Sequence, residues 1–397
     1  MKAITTCVFL LCALSRVGAA DFAPAPSNVP GADYPRIGSD LSVTFRLKAP
    51  EAKAVKLEGG AGLARAPLEM SRGADGGWTV TTAPAVPGFH YYWFYVDGLR
   101  VNDAASYSFF GYGRETSGID IPEAGVDFYA PKEDVVHGDV RAHWYFSKLT
   151  GQWRRAFVYT PTGYDQSSRA RYPVLYLLHG AGENERGWFE QGRANFILDN
   201  LIAAQRAKPM ILVVDTGYAA YASAGATTNQ PGPGNPMRGT AAFEEVMLRE
   251  LIPTIDAHYR TLAEREQRAM AGLSMGGMQT LQLTLRHLDQ FAWIGAMSSP
   301  PRQGFNVATA YDGVFRDAAA FNQQVKLFWF GAGTAEASFH AGAGALDEAL
   351  DKAGIKHVFF SSAGTDHEWQ TWRRSLYDFA PRLFKEEARA SGSSPIR

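Results

Sequence analysis

One stretch constrains this chain more than any other: Ala271-Gly272-Leu273-Ser274-Met275-Gly276-Gly277. It fits G-x-S-x-G with Ser274 at the centre. Upstream, Arg268-Ala269-Met270-Ala271 is short and mostly apolar, as a buried strand is. Downstream, Met278 to Leu285 has no Gly or Pro and reads as a helix. A strand, a cramped turn and a helix form the context of a nucleophile elbow. The glycines matter because a β-carbon beside the strained serine would collide with the strand or helix. The helix start also leaves free N–H groups aimed at any oxyanion formed there. An ordinary Gly-rich turn can carry the same five letters, and the flanks separate the two readings.

At 397 residues the chain is long for one average domain, so two are expected. Hydrophobic residues at 46% and charged residues at 20% are ordinary for a folded protein. A net charge of −1 offers no basic footprint for nucleic acid and no acidic tail. Residues 1–20 read as an export signal: Lys2, an apolar run from Val8 to Leu14, then Gly18-Ala19-Ala20 before Asp21. Both cysteines, Cys7 and Cys12, fall inside it, so a cleaved chain would hold no disulfide, cysteine nucleophile or thiolate metal site. No later run is long enough to cross a bilayer. The expected location is secreted or periplasmic, with no membrane attachment after cleavage.

Residues 21–124 carry strand signals. Leu41 to Leu47 alternates apolar and polar residues, the mark of a sheet with one wet face. Ala54 to Leu57, Trp78 to Thr82 and Tyr91 to Val96 follow, and Asp97-Gly98 before Leu99 suits a two-residue hairpin. Short strands with Gly/Pro punctuation predict a small all-β, Ig-like sandwich. Residues 125–136 read as a linker. Residues 137–388 read as the second domain: Ala142 to Ser147 and Trp153 to Tyr159 flank a hairpin turn at Lys148 to Gly151, and from Tyr172 strand and helix alternate, with buried strands at Val174 to Leu178, Ile211 to Val214, Val325 to Phe330 and Val358 to Phe360. Phe243 to Ile255 maps a long helix bent by Pro253. That alternation predicts a mostly parallel, doubly wound α/β sheet with its ligand at the strands' carboxyl ends. Residues 389–397 read as a flexible tail.

A serine hydroxyl is a poor nucleophile until a base takes its proton, and in this fold class the order is Ser, acid, His. Of the histidines after Ser274, His367 lies in a loop immediately beyond a buried strand, on the edge expected for Ser274. His287 and His357 sit in a helix and at the wrong strand end, and His340 follows the acid loop. The acid should leave the preceding strand after Phe330, where Glu336 is the first carboxylate. Asp312, Asp317 and Asp347 stay open as alternatives. Oxyanion donors are expected from the N–H of Met275 and from the loop His179-Gly180-Ala181-Gly182, with Ala181 favoured and Gly180 or Gly182 as fallbacks. His179 itself reads as a structural loop residue.

Three stretches carry a family resemblance: Tyr172-Pro173-Val174-Leu175-Tyr176-Leu177-Leu178-His179-Gly180, the Ser274 motif, and His367-Glu368-Trp369-Gln370-Thr371-Trp372-Arg373. Through them the second half resembles the esterase D-type α/β-hydrolases of carbohydrate esterase family 1, which include feruloyl and acetyl-xylan esterases. Through Pro87 to Trp93 and Val96-Asp97-Gly98 the first domain resembles the CBM48-like (E-set) modules preceding some of them. The resemblance implies hydrolysis through an acyl-enzyme, with no metal or organic cofactor, on feruloylated or acetylated arabinoxylan of plant cell walls. It makes Gly180, Trp369 and Trp372 candidates for substrate contact, although Trp369 and Trp372 equally suit core packing. Many relatives carry Asp where this chain has Glu336, one methylene longer. The stretch Tyr218 to Arg238 reads as a mobile loop over the acyl pocket. Rival readings are an enterochelin-type siderophore esterase, an acyltransferase and a carbohydrate-binding protein without activity.

Overall fold

The computed structural model describes residues 21–222, 240–301 and 305–385. The expected signal, both cysteines, the tail and most of the 218–238 loop lie outside the described residues.

The first half contains strands β1 (Phe22–Pro24), β2 (Arg36–Gly38), β3 (Val43–Lys48), β4 (Val55–Gly59), β5 (Leu68–Glu69) and β6 (Ser71–Arg72). They are followed by β7 (Gly77–Thr81), β8 (Gly88–Val96), β9 (Leu99–Val101), β10 (Ser108–Gly111) and β11 (Arg114–Ile121). They form two antiparallel sheets, ordered β1-β2-β3-β7-β6 and β10-β11-β8-β4-β5, with β9 hydrogen-bonded to β8. Val43 and Phe45 from one sheet meet Leu57, Tyr92, Phe94 and Ile119 from the other in a dry core. That is the packing of a sandwich, in which inward residues of two sheets interdigitate. Asp97 and Gly98 both take positive φ, at 49° and 86°, and close the β8–β9 hairpin as their residue types require. The sequence reading missed β10 and β11, whose polar and glycine residues hide the two-residue period.

The second half is one eight-stranded sheet ordered β12-β13-β15-β14-β16-β17-β18-β19. Its strands are β12 (Asp139–Ser147), β13 (Gln152–Thr160), β14 (Val174–Leu178), β15 (Ile211–Asp215), β16 (Arg268–Leu273), β17 (Trp293–Met297), β18 (Leu327–Gly333) and β19 (Val358–Ser362). From β15 to β19 every neighbouring pair is parallel, and the β12–β13 hairpin caps one edge antiparallel. The helices around it are α1 (Gly187–Glu190), α2 (Ala194–Ala203), α3 (Thr240–Val246), α4 (Ile252–His258), α5 (Met275–Thr284), α6 (Ala318–Gln324), α7 (Ala337–Lys352) and α8 (Trp369–Phe379). This is the α/β-hydrolase architecture. Each residue of β14, β15, β16 and β17 is buried, which explains their near-continuous apolar runs. Between α3 and α4, Met247–Leu251 opens into a π-turn. Pro253 offers no amide to the turn before it, so the helix absorbs it there.

The two halves share a core. Phe89, Tyr91 and Trp93 of β8 pack into the same cluster as Trp188, Trp369, Trp372 and Leu376. Polar pins lock the contact: Arg373 of α8 donates to both carboxylate oxygens of Asp120, at 3.0 and 2.9 Å, and Arg374 pairs with Glu123. Arg373 is wholly buried, and Asp120 is held below the usual carboxylate range although burial alone would raise it, because the charge and hydrogen bonds of Arg373, with the charges of Arg193 and His90, together outweigh that cost. The sandwich therefore grips the helix that follows the loop carrying His367.

Candidate active site

The turn between β16 and α5 places Ser274 at φ 50° and ψ −116°, a conformation costly for a residue with a side chain. Two absent β-carbons make it possible. One added at Gly272 would stand 2.5 Å from the Gly276 carbonyl, and one at Gly276 would stand 2.6 Å from the His179 oxygen. Hydrogen bonds hold the strained residue on both sides: its N–H donates to Met297 O, and Ser299 Oγ donates to its carbonyl, each at 2.8 Å.

Two distant loops meet this hydroxyl. His367 Nε2 lies 3.0 Å from Ser274 Oγ, and His367 Nδ1 lies 2.7 Å from Glu336 Oε2. A carboxylate only accepts, so Nδ1 carries the proton and Nε2 is free to receive one from the hydroxyl. Glu336 is buried, and its other oxygen accepts from Ser298 Oγ and from Gly333 N–H, both at 2.7 Å. Those donors compensate the burial of the charge and fix the extra methylene in one place. The imidazole is also clamped by rings. Phe339 stacks on it at 4.5 Å and 21°, and Trp372 meets it edge-on at 5.1 Å.

The alternative carboxylates stand elsewhere. Asp312 pairs with Arg286, Asp317 caps α6 through Ala320 N–H, and Asp347 holds His357. His340 bonds Ser361 and His287 bonds Glu244.

The loop after β14 carries the residues expected as oxyanion donors. Both fallback amides are engaged: Gly180 N–H donates to Glu183 Oε2 at 3.1 Å and Gly182 N–H to the Tyr218 hydroxyl at 2.7 Å. Ala181, between them, lines the cleft with Gly180 and Ser274. His179 is wholly buried, accepts from Gly217 N–H and donates to Gly180 O, and burial pushes its pKa down. It is a neutral strut of the loop.

The cleft over Ser274 holds about 150 Å³ and draws walls from both halves of the chain. Phe89, Tyr91 and Tyr112 come from the sandwich, and Leu273, Trp369 and Trp372 from the α/β half. Trp369 and Trp372 line the cleft and are also buried in the shared core. Sequence reasoning missed Ser298, Phe339, Glu183 and the sandwich's share of the cleft. Only Phe339 left a signal, standing three residues after Glu336 at helical spacing.

Glu183 lies inside this wall. Burial pushes its carboxyl up to about 7, and the Tyr91 hydroxyl contacts it at 3.3 Å. Opposite, Glu368 lies 3.1 Å from His90 of β8; burial alone would lower that imidazole, but the charge and hydrogen bond of Glu368, with the Val86 carbonyl and Asp120, together raise it. The sandwich touches the loop after β14 directly as well, through Gly113 N–H to Gly182 O at 2.7 Å. A hydroxyl with an adjacent base, free amides nearby and a partly apolar cleft can perform acyl transfer. Among the described residues no group of three or more His, Cys, Asp or Glu side chains could hold a metal ion, and no helix is long and apolar enough to cross a membrane.

Comparison with known proteins gives a consistent picture. Residues 147–383 match the family described as "Putative esterase". An endo-1,4-beta-xylanase/feruloyl esterase of Xylanibacter ruminicola is 41% identical over 370 residues, which is 92% of this chain and 48% of that protein. An esterase of Mycobacterium tuberculosis is 32% identical over 161 residues, 40% of this chain and 32% of its own length. The chain thus spans at most about half the length of these curated relatives. Among solved structures, a CE1 ferulic acid esterase of Anaeromyces mucronatus in complex with ferulic acid aligns with a TM-score of 0.56 at 25% identity, over 65% of this chain and 95% of that one. The enterobactin esterase of Shigella flexneri aligns with a TM-score of 0.62 at 17% identity, over 86% and 93% of the two chains, a likeness of fold.

Proposed function

The chain belongs to the esterase family matched by residues 147–383, and from that premise we propose that it is a secreted serine esterase cleaving feruloyl or acetyl esters on plant cell-wall xylan. One observation carries the reading: the unbroken line from Ser274 Oγ through His367 to Glu336, at 3.0 and 2.7 Å. Ser274 is the nucleophile, His367 the base and Glu336 the group that orients the imidazole and steadies its protonated form. The hydroxyl attacks the ester carbonyl as its proton passes to His367 Nε2. The N–H groups of Met275 and Ala181 receive the oxyanion, a role supported by the engagement of both neighbouring amides, Gly180 and Gly182. His367 returns the proton to the departing sugar oxygen, leaving an acyl-serine. Water, deprotonated by the same imidazole, then releases the acid and restores Ser274.

The 41% identical relative named a xylanase/feruloyl esterase supports the substrate class. On this reading residues 1–20 are an export signal, 21–124 a CBM48-like module, 125–136 a linker and 137–388 the esterase domain. Tyr112, Trp369 and Trp372 would flank an aromatic acyl group in the cleft.

A panel of methyl ferulate, acetylated xylan and a catecholate trilactone, compared by kcat/KM, tests the assignment. Turnover of ferulate or acetate is expected to exceed that of the lactone. Ser274→Ala should lower kcat by about four orders of magnitude or more, and Glu336→Ala by about two or more. Lactone preference would turn the reading towards siderophore hydrolysis. Equal rates for wild type and Ser274→Ala would turn it towards a binding protein.

A further inference from the structure

The β12–β13 hairpin has an outward face that the chemistry above leaves unused. Side chains at 140, 142, 144 and 146 of β12 point away from the core, while Tyr145 and Ser147 point in. Among the described residues every exposed Trp or Phe stands here: Trp144 at 57%, Phe146 at 51% and Trp153 at 66% exposure. The register sets Phe146 opposite Trp153 and Trp144 opposite Arg155, so the rings form one cross-strand strip. Phe146 and Trp153 meet edge to face at 5.7 Å, and the Arg155 guanidinium lies over Trp144 at 5.4 Å. Three large apolar rings in water are costly to keep without a use, and clustered exposure marks a contact surface.

The strip is not simply greasy. It borders a groove of about 380 Å³ lined by Trp144, Gln152, Trp153, Arg155, Glu185 and Tyr218. Arg155 is held in place by Glu185, donating from Nε at 2.9 Å and Nη2 at 2.6 Å. Flat rings beside fixed polar groups suit a pyranose, which offers C–H faces to one and hydroxyls to the other. Continuity with the cleft supplies the second argument. Tyr218, on the groove, accepts from Gly182 N–H, while Ala181 and Glu183 on either side of Gly182 line the cleft. The groove and the cleft thus adjoin through the 181–183 loop, on opposite sides of the Gly182–Tyr218 contact.

We infer that the outward face of the β12–β13 hairpin is a carbohydrate-binding site, seating the main chain of a β-linked pyranose polymer whose ester substituent enters the cleft. The role in ester delivery rests on the function proposed above; the sugar contact itself does not.

The test titrates the full chain carrying Ser274→Ala with xylohexaose, which has no ester, and reads tryptophan fluorescence and calorimetric heat. Saturable binding is expected, weakened at least about tenfold by Trp144→Ala with Trp153→Ala, equal to about 1.4 kcal/mol. Trp153→Ala alone, at the most exposed ring, should weaken it about threefold, and it carries the test if the double variant does not fold. Affinity unchanged in the variants overturns the inference, as does absence of binding. So does a shift from dimer to monomer in sedimentation with sugar affinity intact, which would make the strip a contact between copies of this chain. Because the probe lacks an ester, failure here leaves the esterase reading standing. Failure of ester hydrolysis likewise leaves the binding result readable.

Discussion

The α/β half carries aromatic residues on two sides, and the two sets have opposite surroundings. Towards the sandwich, Trp188 and Trp369 are wholly buried and meet Phe89 and Tyr91 across the boundary between the halves. At the free edge, Trp144, Phe146 and Trp153 remain in water. Several of the buried set come with polar partners: Trp188 Nε1 donates to Leu178 O, Trp372 Nε1 to Ser298 Oγ, and Arg373 to Asp120. Burial demands those partners, because an unpaired polar group in the interior costs its lost hydration. The exposed set needs none. The same residue types thus shape a cleft where the fold covers them and are left for a ligand where it does not.

The largest expected effect lies on the buried side. Arg373→Ala strands Asp120 without its bidentate partner and should cost about 3–5 kcal/mol of stability in urea unfolding. A loss under about 1 kcal/mol would mean that the Arg373–Asp120 pair adds little to what the other contacts across the boundary supply. Next comes pH. Glu183 has an ordinary value of 4.5 raised to about 7, so the fold favours its neutral form. The native state then binds more protons than the unfolded chain between those values, and stability should fall as pH rises through that window. The loss totals about 3 kcal/mol by pH 8, and Glu183→Gln should abolish it. An unchanged pH slope in the variant would show that the carboxyl is better solvated than its surroundings suggest.

Tyr112 sits between the two sets: half exposed, with its ring edge-on to Tyr91 and Trp93 at 5.5 and 5.2 Å. Tyr112→Ala should cost only about 1 kcal/mol of stability while lowering kcat/KM for methyl ferulate more than for p-nitrophenyl acetate. Equal losses on both esters would remove the ring from acyl discrimination. Smallest of all, Trp144→Ala should leave the unfolding free energy within about 0.5 kcal/mol of wild type. A larger loss would mean that the edge hairpin depends on its aromatic strip for folding, sharpening the contrast from the opposite direction.

Much of the α/β half was legible in sequence because its signals are local. Buried parallel strands such as Val174–Leu178 need unbroken apolar runs, and a serine at φ 50° needs glycines beside it; both can be seen within a few residues. The loops bearing His367 and Glu336 were readable from strand order, since each follows the carboxyl end of its strand. The reading of Pro253 as a bend differs from the observed π-turn, because a helix can widen by one residue rather than turn. The β10–β11 hairpin escaped for lack of a clean alternation, and with it went Tyr112 and the Gly113 contact to the loop after β14.

Sequence alone determined where a nucleophile could stand, which strands were covered on both faces, and that two architectures follow one another, because each is written in neighbouring residues. Tertiary structure decided that Ser298 and Phe339 clamp the acid and the imidazole, that Glu183 is buried beneath Tyr91, and that the sandwich walls the cleft. Those contacts join residues far apart in the chain, as Tyr91 and Glu183 are at a separation of 92. Only the closed fold, by excluding water from both partners at once, sets what such a pair contributes.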